Sequence, residues 1–460
     1  MATTSLPRST PAEPGVASRG VAAFLDAMEA APDIELHSVM LLRHGHVVAE
    51  GWWAPYGPDE VHLLYSLSKT FTATAAALAA AEGLLSFDDL VTDHFPELAH
   101  VVTDPRSQRM RVRDLAAMAT GHRDDTLDRM FQLDATEPVR GFLSLPPEEE
   151  PGSVFCYNNG ATYTLGAIVQ RVAGQSLSAY LQPRLFEPLG IPAPYWIARP
   201  AGREIGFSGL HLTTEAVARL GQLYLDDGVW QGARLLPAGW VADASRVHTA
   251  NPAEPNPDWQ QGYGYQIWRA RHGYRGDGAY GQFCIVLPEE DVVLAITAQT
   301  ENMQGILDAA WTHLLPAVDA STPEQDSALA ARLNALALTP GDDGISPTAE
   351  PGADVTLTVG GVVVEKGGGW RLTITDDDLP VRVGDGAWLR NDLTLPGGYR
   401  VLLAASGRQV DGSLVAQLIA LETPHRLTLT VDLASGASTA RWRTVPLHSP
   451  TIAQLATGGH

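Results

Sequence analysis

The spacing of hydrophobic and polar positions predicts a mixed helix and strand region over about residues 20 to 316. Apolar residues at helical spacing predict helices over 21–31, 70–82, 111–121, 161–173, 213–225 and 302–315. Alternating or continuous apolar runs predict strands over 36–42, 46–53, 262–268, 280–287 and 291–298, the first two joined as a hairpin at His44-Gly45. A hairpin followed by helices, three strands and a final helix indicates an α+β fold, in which helices flank an antiparallel sheet.

A different pattern begins after residue 350. From Val355 to Val445 apolar and polar residues alternate, and Gly-Gly, Asp-Gly and Pro-Gly-Gly turns interrupt them. This pattern predicts an all-β domain of roughly eight strands, a barrel or a sandwich, over residues 351–460. Residues 317–350 are interpreted as a linker with a possible helix over 325–336, and residues 1–18 as a disordered tail. The first folded domain is then expected over residues 19–316.

Composition narrows the function classes. The net charge of −22 makes nucleic acid and anionic membranes improbable partners, and no run of 18 apolar residues could span a bilayer. Two cysteines provide neither a disulfide framework nor a metal-binding set, and the histidines have no metal-ligand spacing. The N-terminus lacks the apolar core of a signal peptide, so the cytoplasm is the expected compartment. The sequence leaves the oligomeric state open.

Ser66 and Lys69 are the first candidates for chemistry. Ser66 stands at the start of the helix over 70–82, and Lys69 lies one turn further on the same face. A serine needs a base to become a nucleophile, and a lysine kept neutral by burial can accept its proton. Lys69 and Lys366 are the only lysines, and arginine, which supplies the other side-chain cations, cannot act as a base. The alternative is a helix cap followed by an exposed lysine.

Tyr157 and Asn159 form the second candidate pair. They are two residues apart in a loop that enters the helix over 161–173, about 90 residues after Ser66, and both can point into one cleft. A tyrosinate beside Lys69 could share or relay the serine proton. The alternative is that Tyr-Asn-Asn is simply a good turn sequence.

Together, Ser66-x-x-Lys69, Tyr157-x-Asn159 and the closing strands resemble the penicillin-recognising serine hydrolases. That superfamily includes class C β-lactamases, D-Ala-D-Ala peptidases and related esterases. The resemblance covers residues 20 to 316 and implies a helical subdomain beside the sheet, an acyl-enzyme on Ser66, and no metal or cofactor. It further implies that Lys69 and Tyr157 transfer protons, that Asn159 orients Lys69 and the substrate, and that the backbone N–H groups of Ser66 and Ala279 form the oxyanion hole.

The third motif departs from the family. Where relatives carry Lys-Thr-Gly or His-x-Gly on an inner strand, this sequence has Gly276-Asp277-Gly278, expected to contact the substrate. Asp277 in that position would repel a substrate carboxylate, which favours an esterase or small-amide hydrolase over a β-lactamase or D,D-peptidase. Three alternatives remain: the motif is only a turn, Arg275 takes the place of Asp277, or the protein binds its ligand without catalysis.

Overall fold

The computed structural model describes residues 5–341, 362–366, 370–374, 379–395, 398–447 and 451–457. Its α-helices are α1 Ser18–Ala30, α2 Ser68–Ala81, α3 Val112–Ala116, α4 Leu127–Leu133, α5 Pro138–Leu143, α6 Asn159–Ala173, α7 Leu177–Leu181, α8 Thr214–Leu225, α9 Trp240–Ser245, α10 Met303–Ala309 and α11 Asp326–Leu333. Each predicted helix has a counterpart among them, with ends that differ by a few residues.

The strands fall into two groups along the chain. The first group is β1 Glu35–Arg43, β2 His46–Trp52, β3 His62–Leu63, β4 Tyr195–Trp196, β5 Leu210–Leu212, β6 Val229–Trp230, β7 Ala233–Arg234, β8 Trp268–Arg269, β9 Tyr274–Gly278, β10 Gln282–Leu287 and β11 Val292–Gln299. The second group is β12 Val362–Lys366, β13 Trp370–Ile374, β14 Leu379–Asp385, β15 Leu389–Thr394, β16 Arg400–Val410, β17 Ser413–Ala420, β18 Arg426–Asp432 and β19 Ser438–Trp442.

A six-stranded antiparallel sheet organises the first region, in the order β2-β1-β11-β10-β9-β8. One face packs against α1, α10 and α11, and the other against α2 and α8. Two apolar layers therefore enclose the sheet, which confirms the α+β prediction. The β1–β2 hairpin turns at His44 and Gly45, whose φ angles of 50° and 72° are those a two-residue hairpin turn requires.

Helix α2 begins and ends where its sequence dictates. An alanine-rich run without glycine or proline fills its interior, and nearly all of its side chains are buried. Gly83 ends it in the left-handed region at φ 73°, and the N–H of Leu84 then bonds to the carbonyl of Ala79. The buried helix gives the residues at its N-terminus a rigid support.

Two predictions for the first region were wrong. Residues 262–268 form a loop in which only Trp268 belongs to a strand, because Tyr263 makes isolated bridges to Thr249 and Trp268 and no continuous ladder follows. Residues 5–17, inside the predicted disordered tail, lie against the folded domain. Leu6 and Val16 are buried, and Arg8 pairs with the carboxylates of Glu50 and Glu215 at 3.0 and 2.9 Å. These partners are distant in sequence, so local composition could not reveal them.

The C-terminal sheet, defined here as β12 to β19, confirms the prediction of about eight strands. Its order is β12-β13-β14-β16-β17-β18-β19, with β15 paired to β16. Among the described residues the terminal strands β12 and β19 do not pair, so the sheet is not a closed barrel. Residues 342–361 lie outside the described residues, and they include residues 342–350 of the predicted linker. The domain limits at 316 and 351 stay predictions.

Within the described part of the chain, none of the helices combines the length and apolar content that a membrane crossing requires.

Candidate active site

Ser66 lies in a single 3₁₀ turn, Tyr65–Leu67, that leads directly into α2. Its side chain is half-buried, whereas Lys69 is only 1% exposed. The Nζ atom of Lys69 lies 2.9 Å from the Oγ atom of Ser66. The predicted contact across one helical turn is therefore present, and Lys69 is not a surface cation.

The surroundings of Lys69 favour a neutral amine. Burial lowers the pKa of Lys69 to about 7, although the carboxylates of Asp125 and Asp277 raise it in opposition. The Nζ atom lies 2.8 Å from Asn159 Oδ1 and 2.9 Å from the carbonyl oxygen of Phe207, and both oxygens can only accept. A neutral amine has two N–H donors and one lone pair. When the two donors serve these oxygens, the lone pair is left for the hydroxyl proton of Ser66.

Tyr157 lies beside Lys69 as a phenol. Lys69 Nζ lies 4.7 Å above its ring centroid, and the ring stacks on Trp268 at 5.4 Å. Burial raises the pKa of Tyr157 well above its usual value, and the nearby Ser66 hydroxyl lowers it by less. The low-dielectric surroundings therefore favour the phenol in the resting site, and a tyrosinate that relays the serine proton stays a prediction for the reaction itself.

Asn159 is held by a residue that the sequence analysis missed. Asp125 accepts from the backbone N–H of Asn159 at 2.9 Å and from its side-chain Nδ2 at 2.6 Å. These bonds turn the amide so that Oδ1 faces Lys69. The neighbouring Asn158 caps α6 by accepting from the N–H groups of Gly160 and Ala161. An Asp in a loop gives no periodic or motif signal, so only the fold reveals Asp125.

The end of strand β9 lies against the Ser66 turn. A Cβ atom at Gly278 would come within 2.0 Å of the carbonyl oxygen of Leu64, and one at Gly276 within 2.5 Å of the Leu67 side chain. The absence of both side chains lets the strand approach the turn and brings Ala279, the next residue, beside it. Gly276 and Gly278 thus pack against the turn that contains Ser66.

Asp277 is an ion-paired carboxylate, and not the free charge on which the expected repulsion of a substrate carboxylate depends. Its Oδ2 lies 3.0 Å from the Nε of Arg275 on the same strand, and both side chains are buried. Arg275 in turn lies over the ring of Trp259 at 4.2 Å. Burial raises the pKa of Asp277 against the lowering effect of Arg275. The alternation of strand faces explains the pairing, because residues 275 and 277 share one face and the two glycines share the other.

The structure thus brings together four predicted residues, Ser66, Lys69, Tyr157 and Asn159. It also places Ala279 beside the turn that contains Ser66. Among the described residues, no group of three or more histidine, cysteine, aspartate or glutamate side chains is arranged to hold a metal ion.

The fold and this site define a serine hydrolase in which a buried lysine accompanies the serine. The family comparison agrees: residues 21–318 match the Beta-lactamase family, and the chain belongs to that family.

Three individual comparisons extend this result. The chain is similar to the 6-aminohexanoate-dimer hydrolase of Paenarthrobacter ureafaciens, with 27% identity over 68% of this chain and 86% of that protein. It is also similar to Penicillin-binding protein 4 of Amycolatopsis lactamdurans, with 30% identity over 52% of this chain and 72% of that protein. The solved structure of the octameric penicillin-binding protein homologue from Pyrococcus abyssi has a TM-score of 0.51 at 16% identity, covering 92% of this chain and 98% of that one. This last likeness concerns the fold and extends through the C-terminal sheet.

Proposed function

We propose that the protein hydrolyses an ester or amide bond through an acyl-enzyme formed on Ser66. The observation that carries the proposal is the Lys69 amine, buried, held by two acceptor oxygens and 2.9 Å from the Ser66 hydroxyl. A serine hydroxyl becomes nucleophilic when a positioned base takes its proton in the transition state.

Acylation begins with the neutral Lys69. Its lone pair accepts the proton of Ser66 as Oγ attacks the carbonyl carbon, and the C=O electron pair moves to the oxygen. The N–H groups of Ser66 and Ala279 donate to that oxyanion. When the intermediate collapses, the leaving oxygen or nitrogen takes the phenolic proton of Tyr157, and Tyr157 recovers a proton from the Lys69 ammonium.

Deacylation uses the same groups in reverse order. A water molecule attacks the acyl-enzyme carbonyl while Lys69, again neutral, accepts its proton through Tyr157. The second intermediate collapses, the C–O bond to Ser66 breaks, and Oγ recovers the proton. Asn159 keeps Lys69 in place through both steps, and Asp125 keeps Asn159 in place.

The charges around the site favour a neutral or amine-bearing substrate. Against the larger effect of burial, the carboxylates of Asp125 and Asp277 both raise the pKa of Lys69. A third carboxyl group, that of Glu254, lies near Asp277: burial raises the pKa of Glu254 most, and the charge of Asp277 raises it further. Position 276, where relatives place a cation for the substrate carboxylate, is a glycine that packs against Leu67. The name of the 6-aminohexanoate-dimer hydrolase supports including small amine-bearing amides among the candidates.

The β-lactam class is the second candidate. Its support is the similarity to a penicillin-binding protein and the Arg275–Asp277 ion pair, which cancels much of the repulsion that Asp277 alone would exert on a drug carboxylate. A panel of p-nitrophenyl esters, D-amino-acid amides and nitrocefin separates the candidates. We expect the uncharged esters and amine-bearing amides to have the higher kcat/KM.

Covalent labelling tests the nucleophile. The Ser66 oxygen should bond to the phosphorus of a fluorophosphonate and displace fluoride into solution, and mass spectrometry should locate the adduct on that residue. Ser66→Ala should abolish both labelling and turnover in a folded protein. Ser68→Ala is the control, because the buried Ser68 hydroxyl accepts only a backbone N–H, that of Leu210 at 3.1 Å, and its loss should leave labelling intact. Hydrolysis by folded Ser66→Ala at the original rate would refute the proposal.

A further inference from the structure

The two proposed oxyanion donors each have a buried tyrosine as chain neighbour. Tyr65 precedes Ser66, and Tyr280 follows Ala279; the tyrosines are 2% and 9% exposed. Both have left-handed backbones, with φ of 48° and 68°. A bulky residue adopts this conformation only where its surroundings hold it there. The peptide group that carries the Ser66 N–H begins at Tyr65, and the next peptide group after the Ala279 N–H joins Ala279 to Tyr280. What holds the two rings therefore restrains the backbone beside both donors.

The C-terminal sheet holds both rings. His425, the residue before β18, is fully buried and meets Tyr65 and Tyr280 edge-on, with ring centroids 5.8 and 5.4 Å away. The two tyrosine rings are 5.5 Å apart, so the three rings form a closed triangle. The Tyr280 hydroxyl donates to the carbonyl of Val445 at 2.5 Å, just beyond β19.

Hydrogen bonds fix which nitrogen of His425 accepts. Its Nδ1 lies 3.0 Å from the carbonyl oxygen of Thr444, which can only accept, so Nδ1 carries the proton. Burial lowers the pKa of His425 to about 3, so the ring is neutral near pH 7. Its Nε2 lone pair is then free to accept, and the Tyr65 hydroxyl lies 2.5 Å from it. The contact is a directed hydrogen bond from the residue next to the nucleophile.

We propose that His425 is a positioning residue of the active site: through Tyr65 and Tyr280 it holds the N–H groups of Ser66 and Ala279 on the developing oxyanion. The inference rests on the acyl-enzyme function proposed above. It assigns to the C-terminal sheet a part in transition-state binding, although none of its described residues touches the reacting atoms. Loss of an oxyanion donor costs on the order of 100-fold to 1,000-fold in kcat, and a displaced donor costs a part of that.

The test compares three tyrosines that cross the same interface. Tyr65→Phe and Tyr280→Phe each delete one hydroxyl and keep the ring. Tyr56→Phe is the matched control, because the buried Tyr56 hydroxyl also donates to the C-terminal region, to the carbonyl of Thr423 at 3.1 Å, but Tyr56 is not next to an oxyanion donor. With p-nitrophenyl butyrate, we expect kcat to fall by about 10-fold to 100-fold for the first two variants and less than 2-fold for the control.

Two further readouts separate positioning from general destabilisation. The KM should stay within about 2-fold, while the Ki of a boronic acid, whose tetrahedral adduct places an oxygen anion in the hole, should rise by the same factor as kcat falls. His425→Phe should behave like Tyr65→Phe or worse. His425→Gln, which keeps an acceptor for Tyr65, should recover part of the loss.

The outcomes distinguish this inference from the proposed function. If the unmodified protein labels at Ser66 and turns over esters, yet Tyr65→Phe and His425→Phe keep their kcat and boronate affinity, the positioning role is refuted and the function stands. Equal loss in Tyr56→Phe, in step with lowered thermal stability, also refutes it. If Ser66 does not label at all, the proposed function itself has failed.

Discussion

Replacing Asp125 by asparagine tests the electrostatics of Lys69. The Asp125 carboxylate is joined to Lys69 only through the Asn159 amide, across hydrogen bonds of 2.6 and 2.8 Å. Its charge raises the pKa of Lys69 against the larger effect of burial, which brings that pKa down to about 7. Asp125→Asn removes the charge while keeping one acceptor oxygen. The pKa of Lys69 should therefore fall further.

The size of the effect follows from the distance and exposure. Across about 6 Å, two unit charges interact by about 0.7 kcal/mol at the dielectric constant of water and about 1.4 kcal/mol at half that value. Because Asp125 is exposed, this range of energies applies. Removing the Asp125 charge should therefore lower the pKa of Lys69 by about 0.5 to 1. At pH 6 the neutral fraction of Lys69 should rise from about a tenth to between about a quarter and a half.

The assay is the pH dependence of kcat/KM with a neutral ester. A base with a pKa of about 7 must be deprotonated to act, so activity rises with pH through 7 and levels off above it. Each profile is normalised to its own plateau, which separates the shift from any loss caused by a looser Asn159. Asp125→Asn should move the rise to lower pH, and 0.5 M salt should narrow the difference.

Asp124→Asn is the control, because it removes the same charge from an exposed neighbour in the same loop. Its profile should move less. An unchanged rise in Asp125→Asn, or a rise at higher pH, would show that Lys69 is not the titrating base.

Three more substitutions test other parts of the site. Lys69→Arg replaces a titratable amine by a permanent cation and so removes the base, and kcat should fall by at least about 100-fold; near-normal activity would make Lys69 a bystander. Gly278→Ala places a methyl group 2.0 Å from a backbone carbonyl and should cut kcat more than 10-fold, whereas Gly166→Ala, with nothing nearer than 3.4 Å, should be tolerated. Asp277→Asn should destabilise the fold by about 3 to 5 kcal/mol in urea unfolding, because Arg275 would lose its buried partner; an unchanged midpoint would contradict this.

The sequence was sufficient to predict those features that depend on residues close together in the chain. Ser66 and Lys69 lie one helical turn apart, and the absence of other lysines in residues 1–365 made Lys69 conspicuous. The helix around them has its own stop signal in Gly83, whose φ is positive. The α+β order and the eight C-terminal strands also follow from periodicity, which depends on neighbours in sequence.

The sequence was insufficient where the partner is distant. The pairing of Asp277 with Arg275, two residues away, could not be predicted, because the two side chains share a face only if residues 274–278 form a strand. Asp125 has no local signal at all. The third example is His425, which lies 360 residues from Tyr65 and was not considered. In each case a contact set by the fold, and not by propensity, decides the role.

The order of the central sheet has a consequence for synthesis of the chain. Strand β1 pairs along its whole length with β11, so that Glu35 lies opposite Gln299. On a ribosome adding about 5 to 20 residues per second, β1 and β2 would wait on the order of 13 to 50 s for that partner. During this time β1, buried at every position in the finished fold, exposes unpaired backbone groups along one edge and the apolar side chains of residues 39–42. A newly made chain should therefore depend on a chaperone that shields residues 35–43 until the second half of the domain has emerged.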